Sequence, residues 1–391
     1  MDVSKPVPRL KTQGRWLLSL LLTLPMALIL FVLLTMGDDS LFAQPDRLFA
    51  FSAVLLLDVF LFFKMLYTGK TDRWRAILFI AFAVALSLTF IVHMTELRGT
   101  RTFSNADVLQ CRIPFCHIVT TMILIPLALS KSIIFPGQIE GGFANISSML
   151  VIVFGSLLVL GRGFCAWGCF YGGWDDGFSR LGKRKTWKTS PTYLRWGGFA
   201  VLILVALTSA ATLVPSYCSW VCPFKAVTEF DAVTNFESFA KFVIFAGLFI
   251  GLVIVLPILT RKRTQCAWFC PMGAFNSLFN PINAFDIRID QDRCLKCGKC
   301  VRNCPVDALA DGALDKGSAN INCVKCGKCA DECSQGAIGY HIRGTAVLKH
   351  PTTARMLYLY AAFAFLAVFS GGAFQQAILI VVKLFATGSA L

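Results

Sequence analysis

Long apolar runs separated by short charged loops dominate this chain. The first extends from about Trp16 to Met36; others cover about 48–68, 76–96, 143–163, 196–216 and 238–259, and a last runs from about Met356 to Phe374. Each is close to the ~20 residues a helix needs to cross a hydrocarbon core of about 30 Å. The pattern predicts an all-α polytopic membrane protein, and the loops orient it. Lys5, Arg9, Lys11 and Arg15 precede the first run, the acidic Gly37-Asp38-Asp39 follows it, and basic residues return at Lys70 to Arg75 and Arg261-Lys262-Arg263. Short basic loops mark the cytoplasmic side, so the N-terminus and both basic loops are expected inside.

Residues 97–142 break this rhythm. They hold Cys111, Cys116 and an apolar run from His117 to Pro136, interrupted by Pro126 and Lys131. A crossing here would put the basic loop 178–195 outside, so the segment is expected to be re-entrant or to lie near the outer face, packed on protein. The tail 375–391 is too long to continue the last span and is expected outside that helix. The first apolar run is too long for a signal peptide, and no small-residue cleavage site follows it.

Composition agrees with a membrane protein: 56% of the 391 residues are hydrophobic and 15% charged, with a mean hydropathy of +0.66. The net charge of +15 sits mostly in loops between apolar runs, so it does not imply nucleic-acid binding. Membrane lipid is the implied partner. Sixteen cysteines beside only four histidines is unusual. They fall into ordered groups, which points to metal or redox chemistry rather than a disulfide scaffold.

The most specific group runs from Cys294 to Cys333. It contains CLKCGKCVRNCP and, eighteen residues on, CVKCGKCADEC, two copies of C-x2-C-x2-C-x3-C. Three thiolates at that spacing hold corners of one cubane, and the fourth ligates the other cluster. One [4Fe-4S] cluster is therefore expected on Cys294, Cys297, Cys300 and Cys333, and a second on Cys323, Cys326, Cys329 and Cys304. Four thiolates also suit structural zinc, though zinc sites more often use separated C-x2-C pairs. The surrounding segment, about 288–345, is expected to be a cytoplasmic α+β two-[4Fe-4S] ferredoxin insert. It divides the chain into N-terminal spans (1–142), a membrane core (143–287), the insert, and a final span with its tail (346–391).

The membrane part carries a repeat of its own. CAWGCF (Cys165 to Phe170), CSWVCP (Cys218 to Pro223) and CAWFCP (Cys266 to Pro271) share C-[Ala/Ser]-Trp-x-C, and CRIPFC (Cys111 to Cys116) is a wider pair without the Trp. Four pairs can make two four-thiolate sites. The expected topology combines Cys165, Cys169, Cys266 and Cys270 at the inner face, and Cys111, Cys116, Cys218 and Cys222 toward the outer face. Sixteen cysteines would then hold four clusters.

Alternatives stay open at this level. Outer pairs could be disulfides, inner ones buried thiols, and Trp167, Trp220 and Trp268 could be interfacial belt residues or shields for a cluster. C-x4-C-H at Cys111 to His117 is a widened haem-attachment pattern, with His93 or Met94 as the second axial ligand. Asp58 lies mid-span, where an ionisable group is costly, and His93 and Glu96 share a helix face. Both fit packing with internal partners better than a quinone site.

Several spans, C-x3-C-P elements and a C-terminal two-cluster run together resemble the membrane polyferredoxins, the NapH, NosR C-terminal and MauN type. The resemblance covers roughly residues 143–345 and rests on Cys218/Cys222/Pro223, Cys266/Cys270/Pro271 and the run Cys294 to Cys333. Phe170 and Ser334 stand where the family has Pro, and residues 1–142 have no counterpart. The resemblance implies electron transfer across a bacterial inner membrane, linking a cytoplasmic or quinone-pool donor to a periplasmic redox partner, with no substrate chemistry of its own. A quinol-oxidising or metal-reducing oxidoreductase, and a redox-sensing or maturation protein, are the alternatives.

Overall fold

The computed structural model describes residues 14–35, 41–103, 116–132, 134, 146–182, 189–310, 312–346 and 349–387. Cys111 lies outside them. Helices α1 (Trp16–Thr35), α2 (Pro45–Thr68) and α3 (Thr71–Arg98) come first. Gly69, at φ +66°, stops α2 in the left-handed conformation that glycine adopts without strain, and α3 begins two residues later. Helix α4 (Thr120–Ser130) has 11 residues, too few to cross a membrane by itself.

Helix α5 (Ile146–Val159) is followed by α6 (Phe170–Leu181), α7 (Thr192–Thr212), α8 (Phe236–Thr260), α9 (Pro271–Phe279) and α10 (Pro351–Thr387). Six of these (α1, α2, α3, α7, α8 and α10) are long and apolar enough to span. A seventh span is possible only as a broken one, because Met149–Val159 and Gly161–Trp167 meet at 118°. The bend falls at Gly161 (φ +57°), where a Cβ would stand 2.6 Å from Asn280 Oδ1 and 3.0 Å from Lys325 Nζ. Only a glycine lets the chain turn that close to its neighbours.

The last helix corrects one expectation. The tail does not leave the span: α10 continues to Thr387 as a single helix of 37 residues, about 55 Å at 1.5 Å per residue. No proline follows Pro351 in it, and the stretch from Ala377 to Phe385 is apolar except for Lys383, so no helix breaker ends it before Thr387. Exposed apolar side chains such as Leu28 and Val32 on α1, Ile203 and Leu207 on α7, and Val243 and Ile250 on α8 form the lipid-facing surface.

Between α9 and α10 the chain forms the ferredoxin segment. Strands β3 (Phe285–Ile289) and β4 (Ile338–Ile342) pair antiparallel, Phe285 opposite Ile342 and Ile289 opposite Ile338, and bracket both cysteine runs. Two shorter strands, β1 (Thr102–Phe103) and β2 (Phe230–Asp231), pair parallel elsewhere. The segment is docked rather than tethered. One hydrophobic core runs from Met26, Phe62 and Phe79 through Trp167 and Tyr358 to Val306, Val324 and Tyr340.

Charged groups close the same interface. Arg75 donates to Asp72 (2.8 Å), Asp176 (3.0 Å) and the Ala166 carbonyl (2.8 Å), while Arg355 donates to Asp331 at 2.7 Å. Asp331 in turn accepts from the Asp72 backbone N–H at 2.7 Å. Lys262 reaches Asp307 at 2.5 Å and the Cys304 carbonyl at 2.8 Å. Lys262 and Arg263 are fully buried, so this part of the basic loop is packing material.

Candidate metal centres

The C-x3-C elements share one local shape. The residues between the cysteines wind as a tight turn: α-helical at Phe164–Trp167, π-helical at Tyr217–Val221 and Gln265–Phe269. The second cysteine is then extended: Cys169 at φ −87°, ψ 108°; Cys222 at −77°, 110°; Cys270 at −73°, 117°. A new helical turn starts at once. Cys304 (−64°, 120°) and Cys333 (−75°, 107°), the fourth cysteines of the ferredoxin runs, repeat this conformation. A following proline enforces it at Cys222, Cys270 and Cys304. Cys169 and Cys333 reach it without one, so Phe170 and Ser334 leave the shape intact.

In the ferredoxin segment the eight thiols fall into two groups. Cys329 is raised well above the usual thiol range by burial, and further by negative charge at Cys323, Cys326 and Cys304. Burial pushes Cys323 up to about 11 and Cys326 to about 12. Cys300, pushed to about 11 by burial, feels Cys333 and Cys294. The first group is buried against the membrane helices; the second is open, with Cys297 exposed and Leu295 68% exposed. Lys296 and Lys325, equivalent positions in the two runs, both have φ +48° but opposite surroundings. Lys296 pairs on the surface with Asp315 at 2.7 Å. Lys325 is buried and donates to the Leu160 carbonyl (3.0 Å), Asn280 Oδ1 (2.8 Å) and Asn283 Oδ1 (3.0 Å).

Directly below, Cys165, Cys169, Cys266 and Cys270 line one internal cavity with Phe164, Met272 and Gly273. Burial pushes Cys270 up to about 12, with Cys165 the next cause. Burial raises Cys169 and Cys266 well above the usual thiol range, Arg263 partly offsetting it at Cys266. Two guanidiniums, both buried, flank the group. Arg162 donates to Ser277 Oγ (2.7 Å), the Cys266 carbonyl (2.9 Å) and Asn322 Oδ1, the neighbour of Cys323. Arg263 donates to the Cys165 carbonyl (2.6 Å), the Gly172 carbonyl (3.1 Å) and Cys266 Sγ (3.3 Å). None of these acceptors is a carboxylate. Arg162 Nε and Arg263 Nε and Nη1 have no hydrogen-bond partner among the described residues.

Buried cations with unused donors beside four thiols, three buried and Cys270 half-buried, fit an anionic occupant, since a buried charge without a partner is otherwise strongly unfavourable. A thiolate-held iron–sulfur cluster is such an occupant. Asp175 also touches this site, accepting from the Cys266 backbone N–H at 2.9 Å, and burial raises its carboxyl to about 7.

A third group comprises Cys116, Cys218 and Cys222. Burial pushes Cys222 up to about 12, Cys116 adding to it, and Cys218 responds to both. These thiols line an apolar cavity of about 280 Å³ with His117, Tyr171, Lys225 and Glu229. The group is a direct neighbour of the one before it: Cys116 Sγ lies 3.5 Å from Tyr171 Oη, and His117 Nε2 lies 3.2 Å from Cys169 Sγ. The two membrane groups are thus side by side, joined through Cys116-His117.

The ring nitrogen His117 Nε2, the one a haem iron would need, faces Cys169 Sγ here, and Cys111 of the haem-attachment pattern lies outside the described residues. All fifteen cysteines among the described residues are free thiols. Of the tryptophans, Trp167 is fully buried and donates to the Lys325 carbonyl at 3.3 Å, and Trp268 is 6% exposed. Trp220, 44% exposed under Lys241 at 4.7 Å, alone suits an interfacial position. Asp58 is buried, and neither of its oxygens has a partner among the described residues, against the expectation of internal partners. Arg162, Arg263, Asn276 and Lys325 carry no local signal as site residues, apart from the place of Arg162 between two glycines three residues before Cys165.

Comparison with known proteins agrees with this arrangement. A 4Fe-4S binding domain matches three times, over residues 142–188, 194–232 and 243–288, so that each match contains one C-x3-C element. A second 4Fe-4S binding domain matches residues 287–309, which include the first ferredoxin run. The chain is a membrane 4Fe-4S protein. Relatives include the uncharacterized protein MJ0750 of Methanocaldococcus jannaschii, 26% identical over 193 residues, 46% of this chain and 73% of that protein. YccM of Escherichia coli (strain K12), provisionally named an electron transport protein, is 25% identical over 177 residues, 43% of this chain and 48% of its own length. No solved structure matches. These findings support iron–sulfur electron transfer as the activity of this membrane protein.

Proposed function

We propose that the chain conducts electrons across a bacterial inner membrane through four [4Fe-4S] clusters, between a cytoplasmic donor or acceptor and a redox partner on the periplasmic side. The ferredoxin segment, residues 288–345, is the cytoplasmic terminal. Cys294, Cys297, Cys300 and Cys333 hold the outermost cluster, and Cys304, Cys323, Cys326 and Cys329 the one docked on the membrane helices. Cys165, Cys169, Cys266 and Cys270 hold the third. Cys116, Cys218 and Cys222, with Cys111, hold the fourth.

One observation carries the reading: the buried quartet of Cys165 to Cys270 lies between the docked ferredoxin thiols and the group around Cys116, linked to one through Arg162–Asn322 and to the other through His117–Cys169. When bound, the clusters supply the one-electron chemistry. The chain keeps them close, dry and charge-balanced.

Vesicles reconstituted with the full chain test this reading. A reductant outside should reduce a trapped impermeant one-electron acceptor, and Cys266→Ala should abolish the transfer; equal reduction in empty vesicles and in both variants would refute it. A second reading, quinol as electron donor within the membrane, is favoured by the 280 Å³ apolar cavity beside Cys116, Cys218 and Cys222. Neither His93 nor Glu96 lines that cavity, so Glu229 and Lys225 take their place as the polar groups a quinol would meet.

A further inference from the structure

We infer that Asn276, Arg263 and His117 hold the site of Cys165, Cys169, Cys266 and Cys270 at a more positive potential than the docked ferredoxin site of Cys304, Cys323, Cys326 and Cys329, so that electrons run from the ferredoxin segment into the membrane. This rests on the four-site reading above and adds a direction to it.

Neither site is open to solvent: Cys165, Cys169 and Cys266 are buried and Cys270 half-buried in one, Cys304 and Cys326 buried and Cys323 and Cys329 half-buried in the other. Hydrogen bonds to the sulfurs and the net charge around them then decide the order. At the membrane site three thiols each receive a side-chain donor from a different element. Asn276 Nδ2 lies 3.4 Å from Cys165 Sγ, Arg263 Nη2 lies 3.3 Å from Cys266 Sγ, and His117 Nε2 lies 3.2 Å from Cys169 Sγ. A thiolate bound to iron can only accept, so the Nε2–H tautomer of His117 faces it. Such bonds favour the more negative, reduced form. Arg162 and Arg263 act in the same sense, since their hydrogen-bond acceptors are carbonyls, Ser277, Asn322 and a thiol.

The docked ferredoxin site is poorer in both respects. Its sulfurs face backbone donors and no side-chain donor among the described residues: the Ala308 N–H reaches Cys304 Sγ at 3.2 Å, with Val306 also facing Cys304, Lys325 facing Cys323 and Lys328 facing Cys326. The nearby Arg75 is neutralised by Asp72 and Asp176, and Lys262 by Asp307. Lys325 is the buried cation there whose acceptors include no carboxylate, against Arg162 and Arg263 at the membrane site. Asp175, which accepts from the Cys266 backbone N–H at 2.9 Å, and Asp176 face Arg263 and oppose this order in part.

The step is a single electron transfer. The docked ferredoxin site is oxidised by one electron, the membrane site is reduced by one, and no bond or proton moves. The electron enters from a low-potential one-electron carrier protein at the open Cys297 end and leaves to the site containing Cys116, Cys218 and Cys222.

The test is an anaerobic redox titration followed by EPR on the purified full chain, with iron counted per chain. The signal lost in Cys165→Ala should titrate at a more positive potential than the signal lost in Cys326→Ala. Asn276→Leu and His117→Phe should each move the former negative by about tenfold in equilibrium constant, about 59 mV for one electron, with iron content and the ferredoxin potentials unchanged. The reverse order in the unmodified chain, or fully loaded variants that leave the midpoint in place, would overturn the inference. An iron content matching only the two ferredoxin clusters would instead remove the membrane site, which is a failure of the four-site reading itself.

Discussion

Replacing Lys325 with methionine tests how the ferredoxin segment is fixed to the membrane helices. Lys325 donates three charge-assisted hydrogen bonds, to the Leu160 carbonyl, Asn280 Oδ1 and Asn283 Oδ1. Bonds to a charged group contribute ~1.5–3 kcal/mol each, so their loss costs ~4–9 kcal/mol. Each acceptor keeps another donor, the backbone N–H of Gly163, Arg162 or Phe285, so no orphan penalty is added. Against the loss stands relief from burying the ammonium: burial lowers Lys325 to about 8 from 10.5, roughly 3 kcal/mol. The net is a destabilisation of ~1–6 kcal/mol.

Hydrogen exchange across residues 288–345 of the purified chain, with iron counted in parallel, is the assay. Protection at the interface should fall by about fivefold or more in Lys325→Met. Lys296→Met, the equivalent change in the first run, breaks only an exposed pair with Asp315 and should leave protection unchanged. Equal effects of the two substitutions would refute the docking argument.

Three further outcomes follow from the same geometry. Cys304→Ser should disturb the EPR signal of the site holding Cys323, Cys326 and Cys329 and spare that of Cys294, Cys297 and Cys300; the opposite pattern would disprove the crossed ligation. Gly173→Ala places a Cβ 2.6 Å from both Ala83 Cβ and the Phe79 carbonyl, so overpacking of α3 on α6 should cost ~1–3 kcal/mol and lower the melting temperature. Gly247→Ala, with nothing within 4 Å, is the control and should not lower it. For Asp175 the sign is fixed by burial, which raises the folded value to about 7 from 3.8. The folded chain therefore holds the proton more tightly, and the stability it contributes is present below about pH 4 and lost as pH rises through about 7. Asp175→Asn keeps an acceptor for the Cys266 N–H and should flatten the decline of melting temperature between pH 5 and 8; an unaltered slope would show that Asp175 is not the titrating group.

Much of the architecture was legible because its causes are local. Hydropathy located α1, α2, α3, α7 and α8 to within a few residues, and thiolate spacing picked out the cysteine groups before any contact was known. Where long-range packing decided the outcome, the sequence was silent or misleading. The charge rule reads Arg261-Lys262-Arg263 as a solvated cytoplasmic loop, yet Lys262 and Arg263 are buried beside thiols and carbonyls. Lys296 and Lys325 are indistinguishable in sequence context and take opposite roles because only one faces Gly161. The three tryptophans of the repeat look alike, but Trp167 packs on Tyr358 in the core while Trp220 lies at the surface. Charge patterns also could not reveal that the two membrane thiol groups are neighbours, since that follows from how the Cys116-His117 turn packs against Cys169 and Tyr171.

The central claim, four clusters on one chain, is tested most directly by iron and acid-labile sulfide per chain on anaerobically purified protein, with EPR on the reduced sample. The account predicts about sixteen irons, four for each four-thiolate site, falling by about four in Cys165→Ala. A value near eight, unchanged by Cys165→Ala, would contradict it and leave the ferredoxin segment as the only redox unit.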